Sequence, residues 1–570
     1  MASFIVPRPI SQFLDEIPDE KEILKDVSSG EENDFDPDPE TVSDCDYPSE
    51  QEASSDSEDE NLELGSYDEY FLSRDKSCKW EKQNHIQTLQ ESNSANFLKP
   101  ESSAIQVSSE IDAFLKLIDD KMLNSIVINT NHKINIKRNQ YKRDRDAQNV
   151  TKNELLALFG LLFLIGVNKG NHTGAYELWT TDGTGIAMLR ACMSNKRFSF
   201  LLRHLRFDDE KTSKRKIDKL SPIRFFLDSF IANCKSSYTL GQFVTVKKLD
   251  IFQGQSSSLI RKKLASGIKL FVMCDALTYF TSNLEVCAKQ PDGPYQLSNR
   301  PADVVERLVA PVEGSNRNLT IGSWYTSYSL ARALLRKKIT SIGTVSKNKP
   351  EVPLEFSPNR KKAVGSSVFG FREDATMVSY VPKPNRSVIL LSTMNLANIV
   401  DEKSKKPLIA LHYDMSKGAV DAVDMLCKAY FVDRDTSQWP LALFFTLLNI
   451  ASVNAQILYE SNREDCRVIR KKFLKNLALS LMKNHLSERA KILTLPTEIR
   501  AVLAKYRVET VEKKENLESR KRGRCHLCTR TRNVCTTIRC RSCVRFTCRA
   551  HVETTAVCFE CKYEKNDEDM

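Results

Sequence analysis

The spacing of hydrophobic positions divides the chain into stretches of different period. Residues 1 to about 95 hold few large apolar side chains and runs such as Ser54-Ser-Asp-Ser-Glu-Asp-Glu60. So little apolar surface does not offset the entropy of ordering, which predicts an acidic disordered tail over 1–95. From about 105 the pattern is helical. Thr151-x-x-Glu154 forms a capping box ahead of the apolar run that ends near Val167. Leu201 to Phe207 and Pro222 to Tyr238 carry the same period, so 96–241 reads as a helical domain. Between 242 and 348 the period shortens. Phe243–Ile251, Gly267–Cys274, Leu277–Thr281, Asn318–Ile321 and Thr340–Val345 read as strands, with helices over Ala302–Val312 and Ser327–Lys338. Strands followed by alternating helix and strand indicate an α/β layer fold. The Pro-rich stretch 349–407, with strands over Thr376–Val381 and Ser387–Ser392, reads as an insertion, and Leu408–Tyr413 as a return to the sheet. Trp439-Pro440 opens a long helix, with proline where a first turn tolerates it, and helices continue to about Val508.

Charge sharpens this division. The formal net charge is +10, but residues 1–73 carry 23 acidic and 3 basic side chains, leaving about +30 on the remainder. An acidic arm on a basic body points to a nucleic-acid binder. The longest nearly unbroken apolar run, Leu155–Val167, is too short to cross a bilayer, and the first residues lack a secretory pattern. The expectation is a soluble intracellular protein with no membrane partner.

The strongest chemical signal lies in 525–570. Four pairs succeed one another: Cys525 and Cys528, Cys540 and Cys543, Cys548 and His551, Cys558 and Cys561. Eight N/S ligands suit two tetrahedral zinc ions. The even spacing favours interleaving, with the first and third pairs on one ion and the second and fourth on the other. A disulfide knot is the competing reading, disfavoured in a reducing compartment. Cys535 fits no pair and reads as a small apolar residue. The basic side chains Arg520, Lys521, Arg522, Arg524, Arg530, Arg532, Arg539, Arg541, Arg545 and Arg549 surround these pairs, with no acidic residue between Arg520 and Val552. They are candidate phosphate contacts. The run 520–524 reads equally as a nuclear localisation signal, a phosphate-contacting linker or a solvated face, in a basic linker over 510–524.

Several segments carry a resemblance to the piggyBac transposases over roughly residues 110–561. They are Asn318-Leu-Thr-Ile-Gly-Ser-Trp-Tyr-Thr-Ser327, Ile342-Gly-Thr-Val345, Tyr413-Asp-Met-Ser-Lys-Gly-Ala-Val-Asp-Ala-Val-Asp424, Thr436-Ser-Gln-Trp-Pro440 and the terminal Cys/His pairs. The resemblance implies an RNase H-like α/β core in two parts, 242–348 and 408–431, interrupted by the β-rich insertion 349–407. It implies helical dimerisation and DNA-binding segments, 96–241 and 432–509, and a two-zinc Cys-rich domain, 525–570, that contacts DNA.

The family cuts DNA with three aspartates that hold two divalent metals. At the matching positions this chain has Lys247, Gly322 and Asp421, with Asp424 one turn beyond. An ammonium where Mg²⁺ should sit repels it, and glycine coordinates nothing. Asp250 is expected on the other face of its strand, and Asp275 at a position outside the triad. Asp421 is then a catalytic remnant, and Mg²⁺ is not expected to bind. Trp324 is expected in the core.

These readings favour a domesticated, nuclear, double-stranded-DNA-binding protein that does not cleave, working as a homodimer or paired with a related transposase. The alternatives are an active transposase with re-sited carboxylates, and a protein-interaction scaffold whose zinc finger binds a protein.

Overall fold

A computed structural model describes residues 69–83, 103–208, 217–250, 269–287, 293–394, 398–434, 436, 438–463, 467–492, 494–507, 522–529, 531–540 and 545–552. The chain divides into two compact units, Met1–His132 with Gly166–His172 and Leu205–Asn476, and Lys133–Ile165 with Thr173–His204 and Leu477–Met570.

The first unit is built on one mixed sheet. In chain order its strands are β1 (Tyr70–Leu72), β2 (Lys79–Glu81), β3 (Phe243–Asp250), β4 (Lys269–Asp275), β5 (Thr281–Cys287), β6 (Asn318–Ile321), β7 (Thr340–Thr344), β8 (Ser367–Arg372), β9 (Ala375–Lys383) and β10 (Arg386–Ser392). Across the sheet they run β1-β2-β8-β9-β10-β7-β6-β3-β4-β5. β3, β4 and β5 pair antiparallel, whereas β3, β6 and β7 pair parallel. The parallel connections need crossovers, which the helices Pro301–Val309 and Tyr328–Arg336 supply. β6 is buried at every position and reads as a continuous Asn-Leu-Thr-Ile run, as a strand covered on both faces does.

The 349–407 stretch does not form a separate sheet. Leu390, Leu391 and Ser392 of β10 pair with Thr344, Gly343 and Ile342 of β7, so β8, β9 and β10 widen the same sheet.

Three sequence expectations are corrected. Disorder over 1–95 does not hold for residues 69–83, where β1 and β2 form a hairpin that pairs Glu81 with Phe371 of β8. Trp80 is fully buried there and donates its indole N–H to the Glu351 carbonyl at 3.2 Å. One large aromatic anchors a short hairpin that composition alone does not reveal; residues 1–68 and 84–95 of that expected tail lie outside the described residues. Leu408–Tyr413 is not a strand but opens the helix Leu408–Ser416 behind Pro407. Leu277–Thr281 is not a strand: residues 276–278 form a turn, followed by Tyr279 at φ 66°, and β5 begins only at Thr281.

The helix Trp439–Ser461 is long and apolar enough to cross a membrane, but 89% of that window is buried inside the protein. Its polar side chains are satisfied internally. Asn454 accepts the Thr281 N–H at 2.9 Å and donates to the Thr281 carbonyl at 2.8 Å, tying the helix to β5. Asn449 accepts from Val432 N–H at 3.0 Å and donates to Asp433.

In the second unit, the amide of Glu154 donates to Thr151 Oγ1 at 3.2 Å, the first half of a cap on the helix Lys152–Val167. The Glu154 carboxylate takes a forked pair from Arg197, both bonds 2.7 Å. Gly160 lets the chain at Ala478 approach closely, since a Cβ there would lie 2.6 Å from the Ala478 carbonyl oxygen.

Candidate functional site

In the first unit, strand register brings two of the sequence-derived positions together. Val246 of β3 pairs with Ile321 of β6, so one step further Lys247 sits beside Gly322. The helix Ala419–Ala429 places Asp421 in its first turn across from them. Lys247 Nζ lies 2.7 and 2.8 Å from the two carboxylate oxygens of Asp421. Their side chains are 48% and 57% exposed, so this is a solvated pair at a cleft mouth, not a buried one. Thr245, on the same strand face as Lys247, donates to the Ser416 carbonyl at 2.8 Å, and Thr320 meets Ser416 Oγ at 2.6 Å. These bonds fix the end of the Leu408–Ser416 helix on the sheet.

The cleft has a volume of about 340 Å³ and is lined by all three positions. A Cβ on Gly322 would meet nothing within 4 Å, so the glycine is not required by packing. The turn that follows it is braced: Thr326 Oγ1 donates to the Gly322 carbonyl at 3.0 Å, and Lys349 donates to the Thr326 carbonyl. Burial lowers the pKa of that Lys349 ammonium.

Sequence reasoning missed a second charged group in the cleft. Asp414 accepts from Lys406 at 2.8 Å and from Lys417 at 2.9 Å. Burial raises the Asp414 pKa, but the two ammonium groups outweigh it and hold the carboxyl below its ordinary value. The Asp414–Lys417 spacing of i, i+3 was the available signal. Asp424 does not join the cleft set; it pairs with Lys428 one turn on. Asp275 is 1% exposed and caps the β4–β5 turn, accepting from Gly241, Leu277 and Thr278. The Asp250 side chain lies outside the described residues. Trp324 is not in the core: it is 38% exposed and stacks on the buried Phe271 at 5.7 Å, 9° from parallel.

The C-terminal Cys/His module is a separate site. Gly523 and Arg524 pair with Thr536 and Cys535 in a two-stranded ribbon. Cys525 donates its amide to the Val534 carbonyl at 2.8 Å. The ribbon and the short helical turn Arg549–His551 bring together Cys525, Cys528, Cys548 and His551, with ligand atoms all within 4.8 Å of one another. These are the first and third pairs. Cys528 Sγ lies 3.6 Å from Cys548 Sγ, and His551 Nδ1 lies 3.5, 3.6 and 3.3 Å from the three sulfurs of Cys525, Cys528 and Cys548. Zinc bonds of about 2.3 Å to sulfur and about 2.0 Å to nitrogen give tetrahedral edges of about 3.8 and about 3.5 Å. The donor set fits one zinc ion.

The thiols do not ionise independently. Burial opposes a thiolate at Cys525, but backbone N–H groups of Cys548, Leu527 and Cys528, with His551, pull its pKa down to about 6. Burial and the neighbouring Cys548 and Cys525 then push Cys528 up to about 11. A bound divalent ion removes that conflict.

Of the second ligand set, Cys540 is buried, with its amide donating to Arg545. Cys543, Cys558 and Cys561 lie outside the described residues, as do Arg520, Lys521, Arg530 and Arg541. Arg522, Arg524, Arg532 and Arg549 are exposed, whereas Arg545 is half-buried and Arg539 stacks over Phe546 at 4.1 Å. Cys535, read as a small apolar residue, is exposed.

Residues 109–456 match the model of the family described as Transposase IS4. The chain is similar to a piggyBac transposase solved by cryo-EM as a synaptic complex with hairpin DNA, at 29% sequence identity and a TM-score of 0.67. That match covers 80% of this chain and 99% of the other. The chain belongs to the Transposase IS4 family, within its piggyBac transposase branch.

Proposed function

We propose that the chain is a domesticated piggyBac-type protein of the nucleus that binds double-stranded DNA and does not cut it. On this reading β3 to β7 are an RNase H-like core whose metal site has been replaced. The carrying observation is the ion pair of Lys247 with Asp421 beside Gly322. An ammonium already occupies the position from which both Asp421 oxygens would hold a metal. A divalent ion needs several oxygen ligands there, and the other carboxylate lining the cleft, Asp414, is engaged by two lysines. Unit charges 4 Å apart interact by about 4 kcal/mol near a protein surface, and a divalent ion doubles this before solvent screening reduces it. Mg²⁺ therefore has little to bind.

The piggyBac transposase it resembles is held in its solved complex with hairpin DNA, which supports a DNA partner for this chain. The zinc module, with Arg522, Arg524, Arg532 and Arg549 exposed, would supply phosphate contacts. Two zinc ions, and a dimer with itself or with a related transposase, complete the reading.

The test uses the full-length protein with DNA that it recovers from nuclear extract, in a salt series with Mg²⁺ or Mn²⁺. Binding that weakens steeply with salt, without nicking, is the expected result. Nicking that disappears in Asp421→Ala would overturn it, and absence of binding would remove DNA as the partner.

A further inference from the structure

The strand β5 (Thr281–Cys287) ends the sheet on one side, and no described strand pairs with its outer edge. The helix Arg224–Ser237 borders that edge, and a groove of about 420 Å³ lies between them. Leu227 and Ile231 line it from the helix, Leu284 and Val286 from the strand. Tyr238, just past the helix, stacks on Phe280 at 4.3 Å, and Asn454 meets both Cys234 and Thr281. The helix therefore ends where β5 begins, and the two run in opposite directions along the groove. Asp228 and Lys235, spaced i, i+7 on the helix, both line it. We propose that this groove binds an extended peptide of a partner protein as an added antiparallel strand, with a basic side chain against Asp228 and, four residues on, an acidic one against Lys235. The proposal does not depend on the DNA-binding reading above.

The edge offers main-chain partners. Thr281 faces outward, since Asn454 takes both its N–H and its C=O. The register shift between Met273 and Cys274 puts Leu284 in the same outward phase, and its N–H turns to Asn283 Oδ1 at 3.0 Å. Alternation then points the N–H and C=O of Val286 away from β4, where an added strand pairs. The charges choose the occupant. Arg224 gives Asp218 a forked pair at 2.9 and 2.8 Å, but reaches Asp228 only at 4.0 Å. Asp228 is 60% exposed, so an incoming group can reach it. Among the described residues Lys235 has no carboxylate partner. Desolvation raises the Asp228 pKa and lowers that of Lys235, so a ligand of opposite charge at each end relieves both. Seven helical residues span about 10 Å, and four strand residues on one face span about 13 Å, a difference that long side chains bridge. An antiparallel peptide runs with the helix, which places its basic residue first. Its middle side chain, on the same face, meets Leu227 and Ile231.

The experiment measures fluorescence anisotropy with the full-length protein and two labelled peptides of equal composition. One is Thr-Lys-Thr-Ile-Thr-Glu-Thr, and the other, Thr-Glu-Thr-Ile-Thr-Lys-Thr, has its charges exchanged. The first should bind about tenfold more tightly. Asp228→Lys combined with Lys235→Asp should invert that preference, a result that loss of folding cannot imitate. N-methylation of alternate peptide amides should abolish binding in one register and spare it in the other, because only every second residue pairs with the edge. Equal affinity for the two peptides, binding to neither, or a preference that the double variant leaves unchanged overturns the proposal. Equal effects of the two methylation registers overturn the strand pairing.

Discussion

Two sites in this chain are set up to manage clustered charge, and they do so in opposite ways. At the C-terminus three sulfurs and one imidazole nitrogen are spaced like the corners of a tetrahedron that one metal ion would fit. In the sheet cleft, each carboxylate already has an ammonium partner within hydrogen-bond distance. The first is an incomplete coordination sphere; the second is a completed set of ion pairs. The difference teaches that one chain can hold clustered charged groups either as a ligand set spaced for a metal or as ion pairs.

The largest test of this contrast is at the module. Structural zinc contributes about 10 kcal/mol or more to the folding of small finger domains. Cys548→Ser should therefore unfold the module and lower the zinc content of the chain by at least one ion. The exposed Cys535→Ser should lose none. Metal analysis after dialysis against a weak chelator reads both, and an unchanged zinc content in Cys548→Ser would refute the four-ligand assignment.

Next comes conversion of one site into the other. If side chains rather than scaffold separate them, Lys247→Asp with Gly322→Asp should create a divalent site with Asp421. The side chain at 322 has room, since nothing lies within 4 Å of the position its Cβ would take. Calorimetry with Mn²⁺ should give a Kd of about 1 mM or tighter, about 4 kcal/mol of binding absent from the native chain. No heat from the double variant would mean that the backbone has changed as well.

How much of this was legible in the sequence depends on distance along the chain. Cys525, Cys528, Cys548 and His551 announce themselves through local spacing, and the structure groups the first and third pairs as that spacing suggests. The β3, β6 and β7 strands were legible because β-branched and apolar runs sit between turn signals. The β1–β2 hairpin was not, because its anchor is a contact between Trp80 and Glu351, 271 positions apart. Leu408–Ser416 was misread because a short apolar run has the same appearance in a strand and in a buried helix. The Lys406–Asp414–Lys417 cluster needs the folded chain, since Lys406 lies before the helix that carries Asp414 and Lys417 caps its end.

Two glycines extend the contrast at smaller scale. A Cβ on Gly523 would lie 2.1 Å from the Phe546 ring, which also carries Arg539 above it. Gly523→Ala should destabilise the module by about 1–3 kcal/mol through overpacking. Gly322→Ala, facing open space, should shift stability by less than about 0.5 kcal/mol. Melting curves of the two variants should differ accordingly, and equal shifts would remove the claim that the module, and not the cleft, is packed around its glycine.

The smallest effect is expected at the ion pair itself. Lys247 and Asp421 are each about half exposed, so solvent screens them and side-chain entropy opposes their pairing. Lys247→Ala should cost about 0.2–1 kcal/mol, the range for exposed pairs. Adding Asp421→Ala should cost almost nothing more, because the partner is already gone. A double-mutant cycle by urea denaturation measures the coupling directly. A coupling above about 2 kcal/mol would mean that the pair is desolvated and holds the cleft together, like the thiol cluster, which would erase the distinction between the two sites.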